Sequence, residues 1–244
     1  MHYKSIIKDS LKSILCIYIA LLLFPSCNPT KYVKPNELFL QKNKVSIDNR
    51  KIDKDNIASI IKQKPNRKIL GLFRFHLGLH NIISQNIGEA PVIYDSLLTD
   101  RTVKQLKLYT SKRGYFENEV TYSSIIKKNK IKVEYDIKTG PLYTIKSVEY
   151  VFADDEIKDK VYFIMRKTLA DLKPGNPFDV DLLNQQRDKI KTEMKNQGYY
   201  YFNKDYVKYK VDSTIGNKEI AIFLHINNPQ VKNELKDTII EKKT

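Results

Sequence analysis

Cys27, the pair His76 and His80, and the acidic run Asp154-Asp155-Glu156 are the residues whose chemistry and spacing invite a functional reading. A thiol is a nucleophile, a metal ligand or an acylation site, and its surroundings decide which. Lys4, Lys8 and Lys12 make a positive start, Ile14 to Phe24 is an unbroken apolar run, and Ser26 puts a small residue just before Cys27. That run has signal-peptide length, whereas a spanning helix needs about 20 apolar residues. Residues 1–26 therefore read as a signal peptide cleaved between Ser26 and Cys27. Cys16 lies in the removed segment, so the mature chain holds no cysteine pair and must be stabilised by a packed core.

His76 and His80 are four residues apart, which on a helix places them on one face where a metal could bind. No Cys, Asp or Glu beside them completes a ligand set, so no metal is expected. His225, the other histidine after processing, lies in an alternating strand opposite Leu224 and Ile226 and reads as a surface residue. The acidic trio is better explained by helix capping and the macrodipole than by carboxylate catalysis. The chain carries no G-x-S-x-G, phosphate loop or H-E-x-x-H. Nothing here predicts an enzyme or a cofactor.

Export also changes the meaning of the charge. The formal net charge of +15 falls by two when the signal's three lysines and one aspartate go. An exported chain meets no genome and its lysines are dispersed, so nucleic acid is a poor partner for it. Anionic head groups suit the charge better, and a lysine-rich composition that keeps the protein soluble suits it equally.

The elements that would position any site emerge from an internal repeat. Gly114 and Gly198 are each followed by tyrosine. Counting back from them, Asp95 or Asp179 stands nineteenth, Leu98 or Leu182 sixteenth, and Leu106 or Ile190 eighth. Asp caps a helix start, the apolar residues make a core face, and Gly supplies the left-handed end. Each helix runs into a strand, with Val120-Tyr122 or Val207-Tyr209-Val211 alternating. A second strand completes a hairpin: Ile131, Val133, Tyr135 and Ile137, or Ile220, Ile222, Leu224 and Ile226. Upstream, Leu38 to Ile47 precedes an Asp53 cap and an Ile57, Ile60, Ile61 face. Tyr143 to Phe152 precedes Asp154 and a face of Ile157, Val161, Ile164, Met165 and Leu169. The order β-α-α-β-β thus occurs twice, an α+β arrangement with two helices on one face of a three-stranded sheet.

This order resembles the POTRA (polypeptide-transport-associated) domains of the BamA/TamA family of outer-membrane assembly factors. The resemblance rests on residues 172–202, where Pro174, Gly175, Pro177 and Phe178 enter the helix, Arg187 and Ile190 follow, and Gly198-Tyr199 ends it. The earlier unit keeps Leu106 and Gly114-Tyr115-Phe116. The start CNPTKYV and the stretch 62–81 are similar to lipid-anchored, Tam-like members, which implies a lipoprotein-type signal with Cys27 as the acylated (palmitate-bearing) first residue. Phe24 and Pro25 stand where that box prefers Leu and a small residue, so cleavage without acylation is the alternative.

The resemblance implies two tandem POTRA-like domains after the signal peptide. Residues 27–37 form a linker, 38–139 the first domain with an insertion at 64–93, 141–228 the second, and 229–244 a polar tail or the start of a further domain. Gly114, Tyr115, Pro174, Gly175, Phe178, Gly198 and Tyr199 are its structural motif residues. Family members continue into a transmembrane β-barrel, whereas here a polar tail follows Gln230. A fragment, an interrupted gene or a free-standing lipoprotein is expected. The implied function is a periplasmic module that binds unfolded outer-membrane proteins or assembly-complex subunits, lipid-anchored at the outer membrane. The alternative is an envelope lipoprotein acting as a scaffold. Strand addition along Phe116 to Ile125 or Tyr201 to Val211 is the expected binding mode, with Tyr199, Tyr200, Tyr201, Tyr206 and Tyr209 as pocket walls or core. In the insertion, the alternation of Phe73, Phe75, Leu77 and Leu79 suits a strand, whereas Asn66 as an N-cap suits a helix; the helix is the favoured reading, and packing on the first domain's own core is favoured over a partner or membrane contact.

Overall fold

The computed structural model describes residues 28–69, 74–82, 86–153, 155, 158–168, 172–227, 230–232 and 239–241. Ser26, Cys27, Asp154 and Glu156 lie outside them. The chain divides into two compact units. One is Met1–Ser46, Asp53–Val103 and Thr121–Asp136; the other is Ile47–Ile52, Lys104–Val120 and Ile137–Thr244.

In chain order the elements are β1 (Phe39–Ile47), α1 (Lys54–Ile60), α2 (Phe75–Ile82), α3 (Ser96–Lys112), β2 (Glu119–Lys127), β3 (Lys130–Lys138) and β4 (Thr144–Phe152). They continue with α4 (Lys158–Thr168), α5 (Val180–Asn196), a 3-10 turn (Lys204–Tyr206), β5 (Val207–Asp212), β6 (Glu219–Ile226), β7 (Gln230–Lys232) and β8 (Ile239–Glu241). The two three-stranded sheets run β1-β3-β2 and β4-β6-β5, so the fold is α+β with the doubled order; β7 and β8 form a separate pair.

The repeated sequence signals act alike. Asp95 accepts from the Leu97 and Leu98 N–H groups, and Asp179 accepts from Asp181 N–H, satisfying donors that an uncapped helix would leave open. At the other ends Gly114 (φ 87°) and Gly198 (φ 97°) adopt the left-handed conformation. Tyr115 N–H reaches Thr110 C=O and Tyr199 N–H reaches Met194 C=O, both at 3.1 Å, closing the same terminal motif twice.

Alternation sorts each central strand. Ile131, Val133, Tyr135 and Ile137 are buried along β3, as are Ile220, Ile222, Leu224 and Ile226 along β6. In the second unit β4 pairs parallel with β6, and β5 pairs antiparallel with it. Their inner faces meet Val161 and Ile164 of α4 and Leu183, Ile190 and Met194 of α5 in one core. Each such aliphatic side chain contributes about 1.5–3 kcal/mol, enough for a small fold without a disulfide. The expected face residues Ile157, Met165 and Leu169 fall on positions whose side chains lie outside the described set.

The insertion departs from expectation in one respect. Asn66 does not cap a helix: it is buried, donates to Ala90 C=O at 2.7 Å and accepts from Val92 N–H at 3.0 Å. An Asn can satisfy backbone groups far away in sequence as readily as those of the next turn. The helix starts at Phe75 instead, and its Leu77 packs with Val33, Phe39 and Ile93 inside the first unit. Residues after Asn28 are drawn into the same packing, since Lys31 donates to Asn81 C=O and Asn81 donates to Asn28 C=O.

Candidate functional site

A three-stranded sheet has two edges, and in the second unit they differ. At the start of β4, Gly175 N–H donates to Ile145 C=O at 2.7 Å, Ile145 N–H to Asn176 C=O at 2.9 Å, and Phe178 N–H to Tyr143 C=O at 3.0 Å. The loop Pro174 to Phe178 thus lies as a short cover along that edge, with a bridge between Thr144 and Pro177. Gly175 takes φ 88° to make the turn, proline brings no donor that would need a partner, and Phe178 anchors the loop in the core. Just beyond the cover, the β4–β6 register shifts between Ile145 and Ser147. Covers and bulges are both devices that blunt an edge. In the first unit the corresponding cover comes from the end of the insertion. Leu40 N–H donates to Val92 C=O and Tyr94 N–H to Leu38 C=O, both at 2.8 Å.

The other edge, β5, is regular. Asn227 N–H donates to Tyr206 C=O at 2.9 Å, and the pairing runs Val207 with Ile226 through Asp212 with Ala221. In an antiparallel ladder this fixes the phase. Lys208, Lys210 and Asp212 bond inward to β6, so the backbone groups of Tyr209 and Val211 point out of the sheet. Among the described residues no backbone bond outside the ladder reaches Tyr209 or Val211. Val207 N–H is taken up by Lys204 C=O at the 3-10 turn. Asp212 closes the strand by accepting from the Thr214 hydroxyl and N–H, which hold its carboxyl below the usual carboxylate range.

Beside this open edge runs a groove of about 400 Å³ between β5 and α5. Val180, Leu183, Val207 and Val211 give it apolar walls, and Asn184 and Arg187 give polar ones. Arg187 donates to Lys204 C=O at 3.1 Å, which ties the start of β5 to α5. Tyr209 lines the groove with its hydroxyl buried and without a partner among the described residues, and burial pushes its pKa up. On the opposite face Lys208 and Lys210 are exposed. The site therefore offers outward backbone donors and acceptors, apolar pockets on one face and positive charge on the other. No proton donor, nucleophile or ligand set is needed for what it can do.

Other sequence-selected residues lie elsewhere. Tyr115 is buried and its hydroxyl accepts from Asn49, while Tyr199 packs on the second core. Tyr200 and Tyr201, 75% and 91% exposed, precede β5 and do not line the groove. The expected strand stretches begin late, at Glu119 instead of Phe116 and at Val207 instead of Tyr201. His76 and His80 share α2, but His80 is buried against Tyr32 and bonds Asn81 Oδ1, while His76 is exposed. Among the described residues no group of three or more His, Cys, Asp or Glu could hold a metal. Asp155 is exposed and pairs with Lys158. The edge covers were missed by sequence reasoning; the Pro-Gly-x-Pro-Phe run was visible, but its partner strand lies about 30 residues away.

The second unit is thus a small α+β module in which one edge of the sheet is partly covered and the edge strand β5 is open. Residues 143–228 match the family model POTRA, described as a surface antigen variable number repeat. Among solved structures, the chain is similar to Haemophilus influenzae BamA POTRA3-5, with 15% identity and a TM-score of 0.42 over 79% of this chain and 68% of that one. It is also similar to POTRA1-2 of Omp85 from Anabaena, at 11% and 0.37 over 80% and 98%. For Haemophilus ducreyi BamA lacking POTRA domains 1-3 the values are 12% and 0.39 over 79% and 30%. No curated protein matches the chain.

Proposed function

We propose that this protein is a periplasmic POTRA module of an outer-membrane protein assembly factor, and that β5 receives extended segments of unfolded client proteins by strand addition. The observation that carries this reading is the asymmetry of the second sheet: β4 is covered at its start by Pro174 to Phe178 and bulged just after, whereas β5 is regular, uncovered along its length and flanked by an apolar groove. Backbone pairing is largely indifferent to client sequence, and the groove adds preference for apolar residues at alternate positions. That suits a client whose strands alternate for a barrel wall. The family match over residues 143–228 supports the same reading. Acylation of Cys27 would tether the module to the outer membrane, with its domains in the periplasm.

A photo-crosslinking side chain at Lys208 or Lys210, compared with Val151 on the opposite edge strand, tests the site. A client peptide from a transmembrane β-strand is expected to crosslink at the β5 positions and not at Val151. Equal labelling at all three, or labelling at Val151 alone, contradicts the assignment.

A further inference from the structure

The first sheet also has an open edge, and it is built differently. β2 is nine residues long, EVTYSSIIK, and every residue except Val120 is exposed. Ile125 and Ile126 are 55% and 56% exposed. A long apolar edge strand of this kind is a template for another chain unless something blunts it.

The pairing of β2 with β3 fixes which of its groups are free. Lys128 and Asn129 form a two-residue turn, with Lys128 at φ 54°. Lys127 therefore faces Lys130 and Glu119 faces Lys138, and Glu119 accepts from Lys138 Nζ at 3.3 Å. The rings of Tyr122 and Tyr135, opposite each other in this register, lie 6.5 Å apart. Phe39 N–H donates to Asn129 C=O, which turns the odd residues of β3 toward β1 and its even residues toward β2. The odd residues of β2 thus bond inward. Val120, Tyr122, Ser124 and Ile126 present their backbone groups outward.

We propose that β2 pairs antiparallel with β2 of a second copy of this chain, about a two-fold axis at Ser123. In the register of full overlap the outward residues meet in phase: Val120 opposite Ile126, and Tyr122 opposite Ser124. About eight backbone hydrogen bonds form, because each outward pair exchanges two. Glu119 falls opposite Lys127 of the second copy at both ends, so the pairing is complementary in charge at its ends, with the apolar pair Val120 and Ile126 just inside them. A two-fold contact requires such self-complementarity.

The same register arithmetic on β5 gives the opposite answer. In both in-phase registers of greatest overlap, lysine meets lysine: Lys208 opposite Lys210 in one, and Lys210 opposite itself in the other. Like charges directly opposite destabilise a pair, and edge lysines are a known guard against self-association. The two open edges are thereby given different partners, a second copy for β2 and a foreign strand for β5.

The register makes the test sharp. In a detergent-purified full chain carrying Cys16→Ser and Cys27→Ser, Ser123→Cys places two thiols in a non-hydrogen-bonded pair. Their Cα atoms are then about 4.5 Å apart, within disulfide reach. Ser124→Cys places them about 7–8 Å apart, outside it. Oxidation is expected to give a disulfide dimer several-fold more abundant for Ser123→Cys than for Ser124→Cys. Sedimentation of the same chain without added thiols is expected to show a dimer that Ser124→Pro converts to a monomer with the circular dichroism spectrum of the folded parent, because the Ser124 N–H bonds nothing within its own sheet. Equal crosslinking at both positions, a monomer with no crosslink, or a dimer indifferent to Ser124→Pro would each overturn the proposal.

Discussion

Proline placed at successive positions of β5 reads the direction of its amides. Val211→Pro removes an N–H that points out of the sheet, so no ladder bond to β6 is lost. Lys210→Pro removes an N–H that bonds inward, orphans a carbonyl of β6 and drives the ring into that strand. A buried orphan acceptor costs about 1–3 kcal/mol, and the steric conflict brings the total to about 3 kcal/mol or more. Val211→Pro costs only about 1 kcal/mol, because edge strands tolerate proline whose nitrogen faces solvent. Against a typical domain stability of about 5–15 kcal/mol, the first change is severe and the second is mild.

The order reverses for binding. An incoming strand meets a proline ring and no donor at Val211, leaving a client carbonyl unpaired, which again costs about 1–3 kcal/mol, or roughly five- to a hundredfold in affinity. Urea denaturation followed by circular dichroism measures the first quantity, and fluorescence anisotropy with a labelled barrel-strand peptide measures the second. Val211→Pro should fold like the parent and bind weakly. A folded Val211→Pro that binds as tightly as the parent, or one that unfolds like Lys210→Pro, refutes the phase assigned to β5.

Three further outcomes are expected. Gly198→Ala meets open space and costs only the left-handed backbone term of about 1–2 kcal/mol, whereas a Cβ at Gly114 comes within 2.8 Å of Phe178 C=O and 3.1 Å of Leu142 Cδ1. Urea midpoints should therefore fall further for Gly114→Ala. Tyr209→Phe deletes a buried hydroxyl with no partner among the described residues, so stability should hold or rise by about 1 kcal/mol. Burial raises this phenol's pKa above 10.0, so the folded state keeps the proton while the unfolded chain releases it. The parent should lose stability as pH rises above 10, and Tyr209→Phe should lose less of it. Radiolabelled palmitate should enter the parent in cells and not Cys27→Ala; label in both or in neither contradicts acylation at Cys27.

The parts of this molecule that local rules govern were legible in its residues. Asp95, Asp179, Gly114 and Gly198 announce helix ends because caps and left-handed turns act within a few residues. Ile131 to Ile137 and Ile220 to Ile226 announce buried central strands because one face of a strand recurs every second residue. The edge covers were not legible. Val92 and Asn176 meet β1 and β4 through backbone groups, and backbone groups leave no mark on sequence. Asn66 misled for a related reason, since its amide serves Ala90 and Val92, a choice made by tertiary packing. The groove was half visible: Val207, Tyr209 and Val211 alternate plainly, but their neighbours on α5 follow from the pitch at which that helix crosses the sheet.

Amide hydrogen exchange on β5 tests strand addition most directly. In the free protein the Tyr209 and Val211 amides should exchange quickly, and those of Lys208 and Lys210 slowly, because only the latter pair bonds to β6. With a saturating barrel-strand peptide, Tyr209 and Val211 should become protected as the alternation along β5 disappears. Peptide bound with Tyr209 and Val211 still exchanging freely would contradict the account.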